Sequence, residues 1–228
     1  PIYASGSMWG QIDGTAKIEI AKTVMTELID EIPVDAQTGL TVYGHRRKGD
    51  CSDIEMMVPV GQHDAAAIKA KVNAISPKGK TPIAGSLLHV ASALKRRPGH
   101  NTIILVTDGI ESCDYDPCKV AKELAASGVV TKIHVVGFDL TSEAMNQLKC
   151  ITAPSGGLLV GANNAQELKS ALNEVVTATL SHNLIVKGLD ANDNPLFVSV
   201  KVFDDHGQQV ADKARGTLRF SLPAGSYK

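Results

Sequence analysis

The sequence predicts a doubly wound α/β domain with a mainly parallel sheet, and three observations carry that prediction. Strand-like and helix-like segments alternate from the first residues to about residue 180, which a sheet wrapped by helices on both faces satisfies best. Residues 102–107 and 133–137 are continuous apolar runs, the pattern of strands buried on both faces. Residues 40–44 and 54–60 are strand-like and close enough to pair as a hairpin, which supplies one antiparallel edge strand.

Each element follows from local chemistry. Residues 2–4 read as the end of a strand, stopped by Ser5-Gly6-Ser7. Between 15 and 32, Ile18, Ile20, Ala21, Val24, Met25, Leu28, Ile29 and Ile32 recur at helical spacing, and Pro33 ends the helix. The hairpin of 40–44 and 54–60 comes next, then a short helix over 65–75 and a loop over 77–80. A helix over 82–94 starts at Pro82, where a missing N–H costs nothing. The strand 102–107 leads to a helix over 118–127 closed by Gly128. After the strand 133–137 come a helix over 142–151, a short strand over 158–160 and an amphipathic helix over 165–180. Loops 5–14, 77–82 and 108–117 should gather at the carboxyl ends of the strands, where such sheets bind ligands.

The pattern changes after His182. Residues 184–186, 196–203 and 218–222 alternate with period two, separated by turn clusters at 190–195 and 204–207. The expected division is therefore an α/β domain over 1–181 and a partial β-sandwich over 182–228, which stops with too few strands to close. The first residues hold no Met and only a stub of a strand, so the chain reads as a fragment at both ends, and the absent leader says nothing about export.

Composition narrows the function. The 228 residues carry 23 basic and 24 acidic side chains with no basic block, which argues against a nucleic-acid partner. No apolar run approaches the ~20 residues of a membrane helix. Aromatic residues are only 4% of the chain, so Ala, Val, Ile and Leu must fill the core. Trp9 stands out in a polar, glycine-flanked loop. The four cysteines, Cys51, Cys113, Cys118 and Cys150, form no paired C-x-x-C knuckles, which argues against a zinc site. Two disulfides would suit an oxidising compartment; four reduced thiols in a cytosolic protein is the other reading.

Ser5, Ser7, Thr81 and Asp108 each stand at a predicted strand end or helix start. Any one of them could be an ordinary helix cap. Together they make a hard, oxygen-only shell of the kind that suits Mg2+ or Mn2+. His45, His63, His89, His100, His134, His182 and His206 are scattered without metal-ligand spacing, and His45 alone falls near the site end of the sheet. Enzyme readings fare worse. Lys78-Gly79-Lys80-Thr81 resembles the end of a P-loop, but Ala74 replaces its first glycine and prolines interrupt it. Ser7-Met8-Trp9-Gly10 is not a nucleophile elbow. A hydrolase using Asp108 and a metal is the least favoured reading.

The run Ala4-Ser5-Gly6-Ser7-Met8, the turn Thr81-Pro82-Ile83 and Val106-Thr107-Asp108-Gly109 resemble the metal-ion-dependent adhesion site (MIDAS) of the von Willebrand factor A-type family. The resemblance covers about residues 1–180. Ser5-Gly6-Ser7-Met8-Trp9-Gly10, Tyr43-Gly44-His45-Arg46 and Val135-Val136-Gly137-Phe138 resemble a bacterial exported branch, in which paired cysteines and a trailing β-domain are familiar. Leu222-Pro223-Ala224-Gly225-Ser226-Tyr227 resembles a turn of carboxypeptidase-regulatory-like β-domains. The resemblance implies a non-catalytic protein-binding module, periplasmic or extracellular. In it Ser5, Ser7 and Thr81 ligate the ion, Asp108 holds it directly or through water, and an acidic side chain of a protein partner completes the shell. The alternative is a structural module of an envelope or surface assembly that binds without metal.

One departure matters. The family motif begins with an aspartate, and Tyr3 stands there; a phenol with pKa near 10 cannot replace a carboxylate. Three readings stay open: weakened or lost metal binding, compensation by Asp13 or Glu111, or an N-terminal boundary at residues 1–3 that does not represent the native strand. Met8 and Trp9 could form an exposed contact for a partner, or pack on loops 46–52 or 109–117. His45 and Arg46 head a basic run that could attract an acidic partner. A local Cys113–Cys118 bridge would stiffen the loop after Asp108 and leave Cys51 with Cys150, although four cysteines allow three pairings.

Overall fold

A computed structural model describes residues 2–3, 5–34, 36–95, 97, 101–130, 132–180, 184–186, 188–190, 194–196, 198–204, 207–214 and 218–220. Two compact units emerge, Pro1–Val176 and Thr177–Lys228.

The first unit is an α/β sandwich around a six-stranded sheet. Its elements begin with β1 (Ile2–Tyr3), a 3-10 turn at Gly6–Trp9, and a small hairpin of β2 (Gln11–Ile12) and β3 (Thr15–Ala16). The chain continues through α1 (Lys17–Glu31), β4 (Gln37–Tyr43), β5 (Ile54–Gln62), α2 (Ala65–Asn73) and α3 (Ile83–Leu94). It ends with β6 (Thr102–Thr107), α4 (Pro117–Ala126), β7 (Lys132–Phe138), α5 (Ser142–Thr152), β8 (Leu159–Ala162) and the greater part of α6 (Ala165–Leu180), up to Val176. The sheet order is β5-β4-β1-β6-β7-β8. All neighbours are parallel except the β4–β5 hairpin at one edge. This is the predicted fold class.

Burial explains why the central strands read as apolar runs. Leu105, Val106, Ile133, Val135, Val136 and Phe138 on β6 and β7 are buried whichever way they point. Helices cover them from both sides: α1 packs on α2, while α3 packs on α4 and α4 on α5. Lys169 of α6 reaches Glu27 of α1 at 2.8 Å.

Helix starts follow capping chemistry. Asp64 accepts the Ala67 N–H before α2, and Thr141 accepts the Ala144 N–H before α5. Asp116 accepts the N–H groups of Cys118 and Lys119, with Pro117 as the first residue of α4. The helix expected from residue 15 begins two residues later. Asp13 and Gly14, both with positive φ, form a two-residue turn that pairs Thr15 and Ala16 with Ile12 and Gln11.

The second unit contains antiparallel pairs. β9 (Leu184–Val186) pairs with β14 (Leu218–Phe220), and β10 (Gly188–Leu189) with β11 (Pro195–Leu196). β12 (Ser199–Phe203) pairs with β13 (Gln209–Ala214). Val202 and Leu218 are buried among Val186, Val198 and Val200. The strand expected over 196–203 is thus two strands, and β13, whose Gln209, Asp212 and Lys213 obscure its alternation, was not expected. Residues 221–228, which carry the Leu222–Tyr227 motif, lie outside the described residues, as do His100, His182 and His206.

Candidate functional site

Three of the predicted residues converge at the carboxyl ends of β1 and β6. Ser5 ends the extended backbone after β1 (φ −74°, ψ 163°), and the 3-10 turn that follows brings Ser7 back beside it. Their hydroxyl oxygens lie 2.6 Å apart, and the Ser7 hydroxyl donates to Asp108 Oδ1 at 2.5 Å. Asp108 follows β6 directly and is 6% exposed. Burial pushes its carboxyl up to about 8, with the Asp139 charge adding to the rise and a backbone N–H opposing it.

Thr81 is also buried and is fixed by two bonds to the loop after Asp108. Its N–H donates to Ser112 Oγ at 2.7 Å, and its carbonyl accepts the Ser112 N–H at 3.2 Å. A Cβ on Gly109 would stand 3.6 Å from Thr81 Oγ1, so the threonine hydroxyl lies against the residue that follows Asp108.

The fourth strand-end contribution was not foreseen. Asp139 follows β7 as Asp108 follows β6, and its φ of 55° is positive. Lys17, the first residue of α1, places its ammonium 2.6 Å from Asp139 Oδ2 and 3.4 Å from Asp108 Oδ2. The position of Asp139 behind a predicted strand was a signal the sequence offered. Lys17 offered none, because its neighbours in the site are remote in sequence.

The two compensating acids expected for the site stand elsewhere. Asp13 is an exposed turn residue. Glu111 accepts the N–H of Ala84 at 2.8 Å and of Cys113 at 2.9 Å, joining the start of α3 to the loop after β6. Its half-burial raises its pKa against those bonds. The Tyr3 side chain lies outside the described part of the structure, although its backbone pairs with Tyr43.

The expected contact residues also redistribute. Met8 is fully buried in the core and presents no surface to a partner, because the 3-10 turn points it inward. Trp9 is 54% exposed, and its indole N–H donates to the Pro77 carbonyl at 3.0 Å. That bond ties it to the loop that leads to Thr81. His45 is buried, 3.1 Å from Glu55. Burial lowers its pKa despite the pull of Asp53 and Glu55.

Arg46 stays exposed but is tied down. Its Nε donates to Asp53 Oδ1 at 2.7 Å, and its backbone N–H donates to Oδ2 at 2.7 Å. Asp53 is completely buried. Burial alone would raise its pKa, but the N–H groups of Arg47 and Arg46 and the guanidinium outweigh it and hold it below the usual carboxylate range.

Two disulfides frame these loops with a pairing other than the local one. Cys51 joins Cys113, and Cys118 joins Cys150. Cys118 lies in the first turn of α4, with its N–H held by Asp116, and faces the end of α5. Cys113, with its N–H held by Glu111, turns to the β4–β5 loop. Among the described residues, no three His, Cys, Asp or Glu side chains gather into a metal-binding group. The cluster's chemistry is the hydroxyls of Ser5 and Ser7, the carboxyls of Asp108 and Asp139 and the ammonium of Lys17.

Comparison with known proteins places the fold. Residues 3–111 match the von Willebrand factor type A domain model. Two uncharacterized Bacillus subtilis proteins are relatives. YwmC is 31% identical over 68% of this chain and 71% of its own length, and YwmD is 29% identical over 73% and 79%. Three solved structures share the fold. A von Willebrand factor type A protein from Catenulispora acidiphila has a TM-score of 0.64 at 16% identity, covering 98% of this chain and 57% of that one. Proximal thread matrix protein 1 of the mussel byssus, with a zinc occupied MIDAS motif, has a TM-score of 0.60 at 19% identity over 83% and 48%. The pilus adhesin SpaC of Lactobacillus rhamnosus GG has a TM-score of 0.62 at 14% identity over 96% and 36%. The chain belongs to the von Willebrand factor type A domain family.

Proposed function

We propose that this chain is a non-catalytic protein-binding module whose recognition face lies at the carboxyl ends of β1, β4, β6 and β7. The observation that carries the reading is the chain of oxygens from Ser5 Oγ through Ser7 Oγ to Asp108 Oδ1, each within hydrogen-bond distance of the next. Three oxygens so linked, one of them from the buried Asp108 carboxyl, fit a small hard cation. Ser5, Ser7 and Thr81 would hold Mg2+ or Mn2+ together with Asp108. Such an ion, when bound, supplies a Lewis-acid contact for an acidic side chain of the partner. The chain's own part is to preorganise that face: Ser112 fixes Thr81, the 3-10 turn aligns the serines, and Trp9 stands exposed beside them. The zinc occupied MIDAS of the mussel protein and the adhesin role of SpaC support this reading.

Two disulfides support a periplasmic or extracellular setting, since such bonds persist in oxidising compartments. The motif resemblance supports membership of the bacterial exported branch, with a β-domain like the carboxypeptidase-regulatory type over 182–228.

A second reading is metal-free association as a structural module of a surface assembly. Lys17 favours it, because its ammonium already lies beside Asp108, and Tyr3 favours it by removing a negative charge.

Calorimetric titration with Mg2+ and Mn2+, run beside Tyr3→Asp, separates the two. A dissociation constant below about 1 mM for the unmodified chain, worth at least ~4 kcal/mol, is the expected result for metal-bridged docking. Binding by the Tyr3→Asp variant alone would make the site a disabled copy and leave the metal-free reading standing.

A further inference from the structure

We propose that Lys17 is the resident cation of this site: Asp139 holds its ammonium beside Asp108, and there it competes with a divalent ion for that carboxylate. The inference rests on the metal-binding reading above and assigns a residue that sets how strongly the site takes metal.

The placement of Lys17 is costly in ordinary terms. A helix N-terminus carries positive partial charge, so a lysine at its first position is disfavoured. Lys17 is nonetheless 8% exposed, and a buried ammonium persists only with an opposite charge to hold it. Space has been left for it: a Cβ on Gly10 would stand 3.1 Å from Lys17 Cε and 3.0 Å from the Ser7 carbonyl. Gly10 has an ordinary φ of −54°, so the glycine there serves room and not a turn.

The partner is equally specific. Asp139 adopts a positive φ, rare outside glycine, while its N–H is anchored to the Ala162 carbonyl at 2.7 Å. That conformation delivers its carboxylate to Lys17. The two ion-pair lengths, 2.6 Å to Asp139 and 3.4 Å to Asp108, show the ammonium leaning toward Asp139. Asp108 is thus covered by a cation that has somewhere else to rest.

The arrangement predicts opposite effects at the two ends of the ion pair. Removing the ammonium frees Asp108. Removing the Asp139 charge leaves Lys17 with Asp108 as its one anionic partner, so metal must displace it. Mn2+ titration by calorimetry, in both the Tyr3 and Tyr3→Asp backgrounds of the full chain, reads this directly. Lys17→Met is expected to tighten Mn2+ about tenfold and Asp139→Asn to loosen it several-fold, a tenfold change being ~1.4 kcal/mol. Lys17→Gln serves if the methionine variant does not fold, with circular dichroism in chelator confirming the fold of each protein. Unchanged affinity in both variants, or a shift in the same direction, overturns the role of Lys17 while leaving metal binding in place. Absence of Mn2+ binding in every variant, Tyr3→Asp included, overturns the metal-site reading and this inference with it.

Discussion

Cys51 and Cys113 join the loop after β4 to the loop after β6, with their α-carbons 5.9 Å apart and 62 positions between them in sequence. Both loops border the Ser5–Ser7–Asp108 cluster. Closing so long a loop in the unfolded chain is worth about 4 kcal/mol by chain entropy. The double variant Cys51→Ser/Cys113→Ser should lose about 3 kcal/mol, or roughly 10 °C of melting temperature. Calorimetric melting with and without reductant checks this: the variant should be less sensitive to reductant than the parent.

Gly79 is the closest contact among the site loops. Its N–H donates to the Gly44 carbonyl at 2.7 Å, and its own carbonyl accepts the Gly6 N–H at 3.3 Å. A Cβ there would lie 2.7 Å from the Arg47 carbonyl oxygen and 2.8 Å from Gly44 Cα, both backbone atoms that cannot swing aside. Gly79→Ala should therefore cost about 2 kcal/mol. Urea unfolding measures it, and an unchanged midpoint would show that the loops do not pack this way.

Asp53 has no contact with solvent and accepts bonds from the N–H groups of Arg46 and Arg47 and from the Arg46 guanidinium. Asp53→Ala leaves those donors without their acceptor and should destabilise by about 3 kcal/mol. Because its carboxyl is held below the usual range, its contribution is present at neutral pH and lost as pH falls through its lowered pKa. The parent should lose more stability than the variant on acidification below about pH 4.

His134 provides a second pH test of the same sign. It is buried on β7, its Nδ1 accepts the Leu158 N–H at 3.0 Å, and burial lowers its pKa, with Lys132 adding to the effect. The unfolded state then binds a proton more readily than the folded one, so stability is full above about pH 6.5 and falls as pH drops below it. Melting temperatures at pH 7.5 and 5.5 should differ more for the parent than for His134→Asn, whose side-chain oxygen can still accept a hydrogen bond.

The sheet was legible because burial on both faces leaves a simple signature: β6 spans Thr102–Thr107 and α6 spans Ala165–Leu180 as the sequence indicated. Ser5, Ser7 and Asp108 were legible as strand-end residues, and the fold brings them into contact. What sequence spacing could not carry was tertiary. Lys17 and Asp108 lie 91 positions apart, and nothing local marks a helix-starting lysine as buried. Met8 and Trp9 could not be told apart, because a 3-10 turn sends adjacent side chains in different directions and no periodicity declares it. The β2–β3 hairpin was hidden because Thr15 and Ala16 suit a helix start as well as a strand.

The two disulfides also have a mechanical consequence. At ~3.4 Å per extended residue, the segment between Cys51 and Cys113, 62 positions long, holds roughly 200 Å of chain. The segment between Cys118 and Cys150, 32 positions long, holds about 110 Å on the same scale. Neither length can pay out when the ends are pulled while the sulfur bonds last. A tether built from this domain would stay short under load, and the loops around Asp108 would remain joined by a covalent link even after much of the chain on either side had been drawn straight.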